Sequence, residues 1–387
     1  MHNKIKHAMQ GYFVLLALSI YLYALMYAPQ PMFNTLSNDF GVDRATTGLT
    51  LSVYTFALAI APMFVGLLLE KIGKRRTIIY STILIGLTGP LYLFVNSFYQ
   101  FLVIRIIQGF LTPVLLTAIM TSISQLFIHL DLKRALAGYV TSNLIGAMVG
   151  RLCGGFLAEQ IGWRITLCIF CISMPLLLFF IQSIPKEKHF HPIHKISEYI
   201  LVLKQKGVKP LIYVEACGIF VFMAIGNLIP FRMAELGYGH SESLTALMYL
   251  GYSIGLIISL TISPLIKLFG NAKNLLIFAS GFFMISLISL SIPSIWMLFG
   301  GLWLIACGEF VVHAMCPGII NRLATKTGLC DRAMVNGLFL SCYYIGGVLG
   351  SFIPAVSYNI GGWLWCYGSM QIVLISAFVV LLMQKEL

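Results

Sequence analysis

The chain has 387 residues, of which 59% are hydrophobic and only 10% charged, and its mean hydropathy is +0.91. Soluble domains are about half apolar and a quarter charged, so a water-soluble fold is excluded, and membrane helices of about 20 residues each leave no room for a large soluble domain. The net charge of +12 comes from 25 Lys and Arg against 13 Asp and Glu; in a membrane protein such an excess marks loops held in the cytoplasm rather than a nucleic-acid surface.

Hydropathy predicts an all-α membrane protein with twelve transmembrane spans, near 11–33, 47–69, 77–95, 98–120, 136–158 and 165–183, then 210–231, 243–266, 274–292, 295–319, 334–357 and 363–383. Span 1 lacks a small-residue cleavage site and is too long for a signal-peptide core, so it is read as a retained helix. Its Tyr23 is a candidate for a cargo cavity, whereas Tyr27, Pro29 and Pro31 read as an interfacial anchor and helix end. Between spans 2 and 3 lies Gly66-Leu67-Leu68-Leu69-Glu70-Lys71-Ile72-Gly73-Lys74-Arg75-Arg76, a short turn with one acid and four cations. Span 4 contains Arg105, Gln108 and Thr112 at i, i+3 and i+7, one polar stripe on an apolar helix. An arginine at such depth costs roughly 3 kcal/mol unless it faces protein or a watery cavity, so Arg105 and Gln108 are candidate cargo or proton-coupling groups, with a structural arginine as the alternative.

Span 5 places Gly146, Gly150 and Gly154 on one face, a pattern that lets helix backbones approach closely in lipid. Arg151 stands beside that stripe as a second buried cation and hints at an anionic cargo; a structural bond to a carbonyl is the alternative. Cys168 and Cys171 have C-x-x-C spacing, but in an apolar helix they read as packing residues. Residues 184–209 form the long polar stretch of the chain, with six lysines and with His189, His191 and His194. Interspersed lysines repel a cation, so a solvated linker is expected between two six-helix bundles, 1–183 and 210–387.

In span 7, Glu215 lies about five residues inside the helix, and function and interface are equally open for it. Span 10 carries Glu309 and His313 four residues apart on one face, two titratable groups able to share a proton. A neutral pair bridging two helices is the alternative, and no metal site is expected, because no further ligand can be placed beside them. Span 11 brings Asn336, Tyr343 and Tyr344, of which Asn336 and Tyr344 are cavity candidates.

The run from Gly66 to Arg76 resembles the G-x-L-a-D-r-x-G-r-r signature of the major facilitator superfamily, with Glu70 for the usual Asp. Ser263-Pro264-Leu265-Ile266-Lys267-Leu268-Phe269-Gly270 is similar to a decayed second copy. Arg105-Ile106-Ile107-Gln108-Gly109 resembles the family's R-x-x-q-G pattern. The run from Gly146 to Gly155 resembles the glycine motif of its drug and proton antiporter branch, with Arg151 where a proline is usual. Tyr343-Tyr344-Ile345-Gly346-Gly347 and Gly150-Arg151-Leu152 are similar to the YnfM-like group of inner-membrane transport proteins. The resemblance implies two six-helix bundles rocking about a central cavity, a cytoplasmic gate formed by Gly66, Glu70, Lys71, Gly73, Lys74 and Arg75, and proton coupling or substrate binding at Arg105.

Counting Lys and Arg by loop puts 20 on the side of the termini and three, Arg44, Arg164 and Arg232, on the other. Both ends are therefore expected in the cytoplasm, and the resemblance implies a bacterial inner membrane. There is no Walker sequence and no H-E-x-x-H, so neither ATP hydrolysis nor an enzyme is expected, and no cofactor. The expectation is a monomeric carrier of a small organic solute, driven by protons through Glu309, His313 and Arg105. Efflux is the first reading, and import of an anionic metabolite or siderophore by proton symport the alternative.

Overall fold

The computed structural model describes residues 2–61, 65–127, 131–183, 196–325 and 332–384; the side chain of Glu70 is among the few within these stretches that lie outside the description. Lipid offers no hydrogen-bond partners, so each apolar run closes its backbone bonds within a helix. The first part of the chain contains α1 (His2–Tyr27), α2 (Phe33–Phe40), α3 (Arg44–Ile60), α4 (Val65–Ile72), α5 (Lys74–Leu87), α6 (Phe98–Leu126), α7 (Leu132–Ile161) and α8 (Trp163–Ser173). After the short α9 (Ile196–Lys204) come α10 (Val208–Met233), α11 (Glu242–Met248), α12 (Ile254–Leu268), α13 (Ala272–Ser291), α14 (Ile295–Thr325) and α15 (Arg332–Met383).

Among the described residues, ten helices are long and apolar enough to cross a membrane, where the hydropathy of the sequence predicts twelve. Two places account for the difference. Residues 62–64, between α3 and α4, lie outside the described residues. The long α15 is interrupted at Gly361 and Gly362, whose backbones leave the helical region, between the two spans expected at 334–357 and 363–383. Local chemistry sets the other ends. Asp43, Ser97 and Asp131 cap α3, α6 and α7 by accepting from the amides of Thr46, Gln100 and Arg134. Gly73, at φ +84°, makes the turn between α4 and α5 that a residue with a Cβ would strain.

Two helix pairs are built alike. Gly146, Gly150 and Gly154 of α7 lie directly against the backbone of Ile20 and Ala24 in α1 and of Ala28 just after it, so that a Cβ at any of the three would collide. In α15, Gly346 and Gly350 lie in the same way against Ala216 and Phe220 of α10. In both pairs residue numbers rise together, so the helices run parallel. α10 is buried along almost its entire length and is the wall onto which the titratable groups converge.

Candidate functional site

Three titratable side chains meet between α10 and α14. Glu215 is 1% exposed and its Oε1 lies 2.6 Å from Nδ1 of the half-buried His313. Glu309, one turn before His313, is also buried, and neither of its carboxyl oxygens has a hydrogen-bond partner; Oε2 of Glu215 is likewise without one. Donor atoms of the three residues lie within 4.8 Å of one another. Gly218 of α10 makes room for Glu309, because a Cβ there would stand 2.5 Å from Oε2. The ring of Tyr343 covers His313 at 4.9 Å between centroids.

The sequence pairs His313 with Glu309; in the structure the imidazole is bonded to Glu215 instead, and Glu309 is left without a donor. Glu215 does not reach an interface: it is enclosed by protein. An anionic Glu309 would have nothing to answer its charge, and such a group in a low-dielectric interior costs several kcal/mol unless a proton or a cation arrives. The spacing that made a metal unexpected also changes, since Glu215 supplies the ligand that could not be placed, although Nδ1 of His313 is already engaged.

The two buried arginines differ. Arg105 is fully buried and donates to the carbonyl oxygens of Met26 (2.8 Å), Leu25 (3.1 Å) and Thr50 (3.4 Å) and to Oε1 of Gln108 (3.1 Å), with the Tyr54 ring 4.4 Å from its guanidinium carbon. Gln108 in turn donates to Thr88 Oγ1 and Cys171 Sγ and accepts from Tyr92. This network ties α1, α3 and α6 together and presents no free polar face. Arg151 donates from Nε to Gln30 Oε1 at 2.6 Å and from Nη1 to the Ala147 carbonyl at 3.1 Å. Around it stand the rings of Tyr27 (4.0 Å), Tyr249 (5.1 Å) and Tyr252 (5.5 Å). Tyr27 and Pro29 to Pro31, which read as an outer anchor, are buried: Tyr27 packs on Arg151, and α7, α10 and α11 close around residues 30–32.

Tyr23 and Tyr344 face one another across the interface of α1 and α15. Asn336 is exposed near the start of α15 and accepts from Asn321 Nδ2 at 2.6 Å. Of the charged turn, Lys71 is exposed, Arg75 half-buried and Lys74 buried; Gly66 lies in α4, and the Glu70 side chain lies outside what is described. Sequence reasoning passed over Gln30, Asn227, Tyr249 and Tyr252. Asn227 carried a signal, an amide in the apolar run Ala224-Ile225-Gly226-Asn227-Leu228-Ile229.

At the end of the bundle opposite the Gly73 turn, the first and second parts of the chain are sewn together. Glu235 accepts from Arg44 (2.8 Å), Tyr358 (2.8 Å), Arg232 (3.3 Å) and Trp363. Asn359 donates to Asp43 at 2.7 Å, and Glu159 accepts from the Ser241 hydroxyl and the Ser243 amide. Partial burial opposes the Asp43 carboxylate, but the hydrogen bonds from Thr46 and Asn359 outweigh it and hold the pKa below the ordinary value. Just beneath, Gln30 Nε2 donates to Asn227 Oδ1 at 2.8 Å.

The sequence profile described as Major Facilitator Superfamily matches residues 14–266 and 238–386. The chain is 24% identical over 365 residues to the inner membrane transport protein YnfM of Escherichia coli K12, covering 92% of this chain and 86% of that one. It is 25% identical over 252 residues to the purine ribonucleoside efflux pump NepI of Escherichia coli O127:H6, covering 62% and 60%. The fold matches the crystal structure of the nucleoside transporter NupG with a TM-score of 0.75 at 14% identity, over 97% of this chain and all of that one.

Proposed function

Since the chain belongs to the major facilitator superfamily, whose matched members are multi-pass membrane transporters and not enzymes, we propose that it is a proton-coupled secondary transporter of a small organic solute. In this reading twelve helices form two six-helix bundles, residues 1–183 and 210–387, joined by a cytoplasmic linker at 184–209, and rock about a central cavity in the inner membrane. Positive charge on the loops puts the Gly73 turn in the cytoplasm. The bonds at Glu235, Asp43 and Glu159 then close the outer side, as in a state that faces inward.

The observation that carries the reading is Glu309, a buried carboxyl whose two oxygens have no partner beside a Glu215–His313 pair. Charge at Glu309 has to be cancelled by a proton, and His313, half-exposed, offers a route for one. The ionisable groups that face this site are Glu215 from α10, Tyr27 from α1, Tyr252 between α11 and α12, Cys316 from α14 and Tyr343 from α15. Arg105 supports the reading as a strut that holds α1 against α3 and α6. Efflux is favoured by the glycine motif of α7 and by likeness to an efflux pump; import of an anionic solute by proton symport is a second reading, favoured by Arg151, which has no carboxylate partner among the described residues.

Proteoliposomes with an internal pH dye test the coupling. Solute flux is expected to move protons and to follow an imposed pH gradient, with Glu309→Gln losing the response while remaining folded. Flux that ignores the gradient, or an unchanged gradient response in the variant, would sink the proposal. Chelation with EDTA is expected to leave the flux intact; loss on chelation would make the three side chains a metal site.

A further inference from the structure

We propose that Arg151 holds the acidic group of the cargo, and that the cargo is a small organic anion, a carboxylate on an apolar or aromatic body. This rests on the transport reading above and narrows it to a substrate class. The first ground is charge. Arg151 is 4% exposed, both of its protein acceptors, Gln30 Oε1 and the Ala147 carbonyl, are neutral, and no ion-pair partner stands beside it among the described residues. Three tyrosine faces offset part of the desolvation, but the site keeps a positive charge. Arg105 has no carboxylate partner either and differs in hydrogen bonding: four oxygens take up its donors, against two for Arg151.

The second ground is a set of unused hydrogen-bonding groups. Asn227 is 3% exposed and Tyr252 7%, yet Asn227 Nδ2 and the Tyr252 hydroxyl have no partner. Both converge on Gln30, the residue that Arg151 holds. Gln30 Nε2 donates to Asn227 Oδ1, and a Cβ on Gly226 would stand 3.1 Å from Gln30 Nε2 and 3.7 Å from the Tyr252 hydroxyl. A buried cation lacking an anion and two buried donors lacking acceptors are all answered by one ligand group with a single negative charge and two oxygens. A carboxylate fits that description. The rings of Tyr27, Tyr249 and Tyr252, with Phe222 packed 4.5 Å from Tyr252, suit an apolar or aromatic body attached to it.

The test is thermal unfolding of the full-length protein in lipid nanodiscs with benzoate, phenylacetate and octanoate, each beside its neutral amide, and with sodium chloride at matched ionic strength. At least one carboxylate is expected to raise the melting temperature saturably, its amide and chloride are not, and Arg151→Gln is expected to weaken binding at least about tenfold, about 1.4 kcal/mol. Loss of Arg151 also unpacks three rings, so Asn227→Asp is the second variant. It keeps the bond from Gln30 and sets a fixed carboxylate on the amide that Arg151 holds, and is expected to melt no lower than the wild type while losing the response. An amide that binds as tightly as its acid, a chloride response equal to the carboxylate's, no response to any carboxylate of the series, or an undiminished response in both variants overturns the assignment. Failure of the transport reading looks different: carboxylate binding without gradient-driven flux removes transport and leaves the anion site, whereas flux of neutral solutes without carboxylate binding does the reverse.

Discussion

Arg105 of α6 and Glu309 of α14 are both buried charged residues in long apolar helices, and the protein treats them in opposite ways. Arg105 has four oxygen partners from three helices and an aromatic face. Glu309 has none. A buried charge whose partners are all in place is a strut, because moving it breaks several bonds at once. One with no partner has little to lose by changing its protonation or its neighbours, so it is suited to a step in a cycle. Burial alone therefore does not mark a functional residue in a membrane interior; the completeness of its partners separates the two uses.

The comparison breaks if the two sites respond alike to mutation. The largest expected effect is at the strut: Arg105→Leu removes the hydrogen bonds that tie α1, α3 and α6 together and is expected to cost at least about 3 kcal/mol of stability, since each bond from a charged donor contributes about 1.5–3 kcal/mol, read as a fall in the detergent melting temperature. Glu309→Gln is expected to be neutral or to stabilise by about 1 kcal/mol, since the carboxyl has no hydrogen-bond partner to lose and the amide never has to carry a buried charge, while abolishing the response to a pH gradient. An intermediate effect is expected where backbones touch. Gly150→Ala and Gly350→Ala each push a methyl into a facing helix and are expected to cost about 1–3 kcal/mol, equally in α7 and α15 if the two pairs are repeats. The smallest effect is at the outer closure. The pKa of Asp43 is held down in the folded state, so its contribution is fully present above the ordinary Asp value and is lost as pH falls through the folded one. The melting-temperature gap between wild type and Asp43→Asn is expected to be under about 1 kcal/mol in equivalent stability and to close on acidification through that range.

Much of this was readable in one dimension. The glycines of α7 share a face at four-residue spacing, and Arg105, Arg151, Glu309 and His313 stand out because charge is scarce in apolar runs. Their partners were hidden. Glu215 and His313 are 98 residues apart and Gln30 and Asn227 are 197 apart, and no periodicity links such positions. Tyr27 and the prolines after it carry the composition of an interfacial helix end, and only the packing of α7, α10 and α11 around this segment buries them.

The sequence by itself determined what is local: which segments are apolar enough to leave water, where caps and glycines end them, and which side the cations favour, since each depends on the transfer energy or conformational freedom of neighbouring residues. Tertiary structure alone decided which buried charges are satisfied. That depends on how carbonyls, amides and rings from distant helices converge, which is why Arg105 became a strut, Arg151 a cation in an aromatic cage, and Glu309 a carboxyl without a partner.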